Sequence, residues 1–171
     1  MNFSKIEKWM KGGFLYYVAG VLLVLAYILL WFLENPAGIE ELRYAGWLIL
    51  EVGLVLIFLP IFVFRSKGKV KKENDWTKTS ALVDTGIYSV VRHPLYLGWL
   101  LMYLAIIFSS QHWLTTIIGI IGMACVYSIS RQEDQRLVEK FGDAYKRYMQ
   151  SVPRINILVG LIRLLRRRNK D

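Results

Sequence analysis

A run of 20 residues without a single charge, Phe14–Leu33, fixes the solvent of this chain before it fixes its fold. A helix rises about 1.5 Å per residue, so such a run matches a hydrocarbon core of about 30 Å. Tyr44–Phe64 is a second run of 21 residues, interrupted only by Glu51. Two shorter apolar stretches follow, Leu95–Phe108 and Trp113–Ile129, with only Ser109-Ser110-Gln111-His112 between them. They predict a tight helical hairpin. With 171 residues, 55% of them hydrophobic, the chain is expected to be a single all-α integral membrane domain of about four membrane helices. Residues 14–64 form two scaffold helices, 65–94 a cytoplasmic loop, 95–154 a helical hairpin with a cofactor-binding segment, and 155–171 a basic interfacial tail.

The charges orient this array. The connection Glu34–Arg43 holds three acids and one base, whereas Arg65–Arg92 holds seven bases and three acids. The final stretch, Arg131–Asp171, has eleven bases and five acids, and the hairpin turn has no fixed charge. Basic residues gather on the cytoplasmic side of membrane proteins, so both termini and the long loop are expected there. The net charge of +9 then reflects topology and attraction to anionic lipid rather than nucleic-acid binding. The first apolar run is too long for a signal peptide, and no small-residue cleavage site follows it. These features fit a prokaryotic inner membrane. The single Cys125 excludes an intrachain disulfide and reads as a small core residue. No metal-ligand spacing, dinucleotide fingerprint or hydrolase signature is present.

Glu51 lies near the middle of the second apolar run. The expectation is a buried carboxylate hydrogen-bonded to a neighbouring helix, with substrate contact as the alternative. Pro60 is expected to kink the same helix.

Two polar clusters stand out against the apolar background. Arg92-His93-Pro94-Leu95-Tyr96-Leu97-Gly98 sits at the mouth of the third helix, and ionisable groups at a membrane edge are functional candidates. Asp84-Thr85-Gly86 signals a turn ahead of it, and Pro94 suits the first turn of a helix. His93 would then stand beside unpaired N–H groups at a positive helix end, a seat for an anion. The second cluster comprises Glu133-Asp134, Leu137, Phe141-Gly142, Tyr145, Tyr148 and Val152-Pro153-Arg154. Glu133, Leu137 and Phe141 step by four and share a face, so Glu133 is expected at the site, with Asp134 turned about 100° away toward solvent or a cap. Gly142 is expected to end the helix and Asp143 to cap a short amphipathic one. That helix is expected to lie on the membrane with Tyr145 and Tyr148 at headgroup level. One negative wall (Glu133), an anion seat (Arg92, His93) and aromatic faces (Tyr88, Tyr96) would suit the ammonium, carboxylate and sulfonium of S-adenosylmethionine. The same loop could hold a nucleotide phosphate.

From Leu82 to Arg154 these residues, in this order and spacing, resemble the isoprenylcysteine carboxyl methyltransferase and phospholipid methyltransferase superfamily of integral membrane enzymes. The matching positions are Leu82-Val83, Gly86-Ile87-Tyr88, Arg92 to Tyr96, Gly98 and the second cluster just described. The resemblance implies a cytoplasm-facing S-adenosylmethionine site and a lipophilic acceptor from the bilayer: a phospholipid amine, a thiol or a prenylcysteine-type carboxylate. Carried over by position, the cofactor would meet Ser80, Ala81, Leu82, Val83, Tyr88, Arg92, His93, Pro94, Leu95, Tyr96, Glu133 and Asp134. Tyr96, Arg131 and Arg154 are the candidate catalytic residues, and no metal is implied. The chain departs from the family pattern at three places. Asp134 replaces the second Glu, no Pro follows soon after Val152-Pro153-Arg154, and Ile129 occupies the slot of an Arg that faces a substrate carboxylate. Ile129 favours an amine or thiol acceptor. Two other readings stay open: an NADPH-dependent sterol or steroid reductase, against which Leu95 and Trp99 argue, and a non-catalytic lipid-binding protein.

Overall fold

The computed structural model describes residues 3–33, 35–67 and 82–169. Within them the chain is helical, with no strand: α1 (Phe3–Phe32), α2 (Glu40–Lys67), a 3-10 turn (Gly86–Ser89), α3 (Pro94–Ser110), α4 (Trp113–Phe141), α5 (Asp143–Ser151) and α6 (Ile157–Arg168). Gly13–Phe32, Glu40–Pro60 and Trp113–Phe141 are long and apolar enough to cross a membrane. The 17-residue α3 is apolar but shorter, about 25 Å at the helical rise. Large apolar side chains on α1 and α2 (Val21, Trp31, Leu48 and Val55 among them) are exposed, as lipid contact requires of an integral membrane protein.

Two compact units divide the chain: Met1–Leu54 with Gly98–Gln132, and Val55–Leu97 with Glu133–Asp171. In the first, the α3–α4 turn shrinks to Gln111 and His112 because α3 continues through Ser110. Gln111 takes a left-handed φ of 50°. Its side chain accepts from the Ile39 N–H at 2.8 Å and donates to the Ile39 carbonyl at 2.7 Å, which fastens the hairpin turn to the start of α2. Tyr103, fully buried, donates its hydroxyl to the Ala19 carbonyl of α1, and its ring fills the space left by the missing side chain of Gly122. Glu51 is exposed on α2. The buried carboxylate expected there is not found, because this part of α2 turns that face outward, with Val52 and Val55.

The second unit is built around α5. Gly142, with φ 58°, breaks the helical line after Phe141 as expected. The N-cap is Gly142 itself, and Asp143 becomes the first helical residue, paired with Lys146 at 2.9 Å. That exposed pair lowers the Asp143 pKa. Tyr145, Tyr148 and Val152 are buried against Leu82, Leu137, Val138, Phe141 and Met149. The headgroup-level placement of the two tyrosines is therefore corrected: their rings form the core of this unit, where each phenol can find an internal acceptor. Tyr148 donates to the Tyr88 carbonyl at 2.6 Å, tying α5 to the 3-10 turn. Removing that hydroxyl strands a buried acceptor, so Tyr148→Phe should cost about 1–3 kcal/mol. A denaturation midpoint measured in detergent and left unmoved by the substitution would show that the bond contributes nothing.

Candidate functional site

The segment leading into α3 has few helical hydrogen bonds to use, because Pro94 has no N–H and residues 90–93 are not helical. It finds partners in the strap that follows α5. Arg92 N–H donates to the Pro153 carbonyl at 3.0 Å and His93 N–H to the Arg154 carbonyl at 3.1 Å. These two bonds lay the Arg92-His93 and Pro153-Arg154 segments side by side. The two motifs that stood some sixty residues apart in sequence become one structure.

Asp134 is the centre of that structure. It is 2% exposed. One carboxylate oxygen, Oδ1, accepts from His93 Nε2 at 2.8 Å and from the Tyr145 hydroxyl at 2.7 Å. The other, Oδ2, accepts from Arg154 Nε at 2.7 Å. Arg92 Nη1 lies 3.2 Å from Oδ1. A carboxylate only accepts, so His93 Nε2 carries a proton. Burial, and then the hydrogen bond to Asp134, push the Tyr145 phenol well above its ordinary range, which keeps it a donor. Tyr88 and Tyr148 are likewise raised, first by burial. Arg92 is buried, its guanidinium 6.0 Å from the centre of the Tyr145 ring. Its Nε and Nη1 make no hydrogen bond among the described residues. Buried donors of this kind are rare and invite an acceptor.

This geometry corrects the expectation for Asp134. Asp134, expected toward solvent, is the buried partner of His93, and His93 Nε2 is committed to it rather than open to an outside anion. Leu137, Val138 and Phe141 of α4 all pack on the α5 core, and Asp134, one turn before Val138, is buried with them. Arg92, His93 and Arg154 gather around Asp134, and the buried Arg92 guanidinium demands a carboxylate. Glu133 remains half-buried, its side chain 17% exposed, and accepts from Arg136 Nη2 at 2.7 Å. Since the Arg136 side chain is 67% exposed, this pair is worth about 0–1 kcal/mol, and a cationic ligand could displace it.

The other candidates fall into three groups. Val83, Tyr88, Pro94 and Tyr96 are buried, and Leu82 packs on the α5 core. The Tyr96 ring leans on His93 at 5.4 Å between centroids, and Leu95 is half-buried. Arg131 is exposed on α4. Ser80 and Ala81 lie outside the described residues. Sequence reasoning missed Tyr145 as a ligand of Asp134. The available signal was a tyrosine eleven residues after an acid, across a glycine turn that folds α5 back on α4. No group of three or more metal-ligating side chains occurs among the described residues.

A family profile described as phospholipid methyltransferase matches residues 42–144. The chain is also similar to methanethiol S-methyltransferase of Crocosphaera subtropica, 28% identical over 144 residues, covering 78% of this chain and 52% of the relative. Methanethiol S-methyltransferase 1 of Bradyrhizobium diazoefficiens is 28% identical over 138 residues, covering 72% and 44%. The enzyme of that name from Pseudomonas deceptionensis is 29% identical over 135 residues, covering 71% and 47%. The chain thus spans about half the length of the curated relatives it matches. No solved structure gives a significant match.

Proposed function

The chain belongs to the phospholipid methyltransferase family, and on that premise we propose that it is an S-adenosylmethionine-dependent methyltransferase acting on a lipophilic acceptor at the cytoplasmic membrane face. The observation that carries this reading is the Asp134 cluster, which joins the Arg92-His93-Pro94 turn to the Pro153-Arg154 strap and leaves Glu133 accessible beside it. The donor set fits the cofactor. Glu133 would hold the ammonium in place of Arg136. Arg92, whose buried Nε makes no hydrogen bond among the described residues, would meet the carboxylate. The aromatic faces of Tyr96 and Tyr88 suit a sulfonium. Bound there, the cofactor supplies an activated methyl group. The residues' work is to fix its orientation and exclude water, which is where positioning catalysis gains most. Asp134 acts through others: it holds His93, Arg154 and Tyr145 in one arrangement.

The acceptor is best read as a thiol. Ile129 is 2% exposed and offers no cationic clamp for a carboxylate. The relatives named methanethiol S-methyltransferases support sulfur over nitrogen. The basic loops support cytoplasmic termini. The test is methyl transfer from radiolabelled cofactor by the full chain in nanodiscs, with an alkyl thiol, phosphatidylethanolamine and a prenylcysteine offered together. Label is expected in the thioether. Label in the phospholipid or the methyl ester alone would overturn the thiol assignment.

A further inference from the structure

Helix α6 is two-sided in a way the methyl-transfer reading does not use. On one side Leu158, Leu161, Ile162 and Leu165 are 73%, 42%, 50% and 60% exposed. At about 100° per residue they fall within an arc of about 100°. The opposite side is fastened to the second unit. Gly160 is buried so close to Val90 that a side chain there would collide with the Val90 carbonyl. Arg167 Nη2 donates to the Ser89 carbonyl at 3.1 Å, and Arg163 Nη1 to the Gln150 carbonyl at 3.2 Å. Asn156 caps the helix by accepting from the Val159 N–H at 3.0 Å. Ser89 and Val90 lead directly into Arg92 and His93.

We propose that α6 is an in-plane docking helix for an anionic lipid surface, and that its seating there steadies the Arg92–His93 turn through Ser89 and Val90. The apolar arc has the width of an interfacial helix, and the exposed Arg166 borders it at headgroup depth. The helix has no acidic residue. A second copy of the chain laid on this face would therefore bring like charges together, whereas phosphate headgroups complement them. This inference does not depend on the acceptor or on the cofactor.

The test uses the full chain with Cys125→Ser, spin-labelled at Leu161→Cys or Arg163→Cys, in nanodiscs with or without phosphatidylglycerol in phosphatidylcholine. The label at Leu161→Cys is expected to collide with oxygen far more than with a water-soluble nickel chelate. The label at Arg163→Cys should show the reverse, and phosphatidylglycerol should widen the contrast. Equal chelate access at both positions would overturn the docking. So would spin–spin broadening that reveals a second copy, or no response to phosphatidylglycerol. For the coupling, Gly160→Leu should speed amide exchange at Arg92 and His93 without moving the Leu161→Cys label out of the bilayer. Unchanged exchange would overturn that half of the proposal. All these readouts are independent of methyl transfer.

Discussion

Asp134→Ala is expected to unfold the second unit in detergent, or to lower its stability by about 3–5 kcal/mol. The substitution takes one carboxylate away from four partners: His93, Tyr145, Arg154 and the buried Arg92. Most of the loss comes from leaving a guanidinium 6% exposed without its counter-charge, since a buried charge alone is far worse than no charge at all. Asp134→Asn should be nearly as damaging, because it keeps the shape and discards the charge. Thermal denaturation in detergent would read this directly. A midpoint close to that of the unsubstituted protein would mean that Asp134 does not hold the cluster together.

The neighbouring carboxylate should behave in the opposite way. Glu133→Ala is expected to abolish S-adenosylmethionine binding while changing stability by no more than about 1 kcal/mol. Glu133 loses only an exposed ion pair with Arg136, and such pairs contribute little. Its ligand role, however, would be a charge-assisted hydrogen bond to an ammonium, which no other described acid beside the cluster replaces. Calorimetry on the folded variant distinguishes the cases. Unchanged affinity would remove Glu133 from the cofactor site. The pair of substitutions, one residue apart, separates holding the site from binding at it.

How far the sequence reached can be judged from these same residues. The apolar runs marked the three helices long enough to cross a membrane and the shorter α3, because lipid demands length and the absence of charge, and both can be counted. Gly142 and Gly86 were legible as breaks because each needs a positive φ, 58° and 65° in the fold. The two polar motifs that meet at Asp134 were also legible, as polar groups in costly places. What the sequence hid was direction. A step of four from Glu133 to Leu137 to Phe141 suggested one face, and Leu137 and Phe141 do pack on the α5 core, but Asp134 is buried as well. Its partners His93 and Arg154 come from segments sixty residues apart, held side by side by two backbone hydrogen bonds, and no local periodicity carries that meeting. The tyrosines of α5 were misplaced for a related reason. An amphipathic helix in a membrane protein can cover either lipid or protein, and only the fold shows that α5 buries Tyr145 and Tyr148 against protein, whereas α6 leaves Leu158, Leu161 and Leu165 exposed.

The central claim is that the cluster around Asp134 presents a methyl-donor site. The most direct measurement is titration of the purified full chain, in detergent or nanodiscs, with S-adenosylmethionine and separately with NADPH. The account predicts saturable binding of S-adenosylmethionine and none of NADPH. Saturable NADPH binding with no response to S-adenosylmethionine would contradict it.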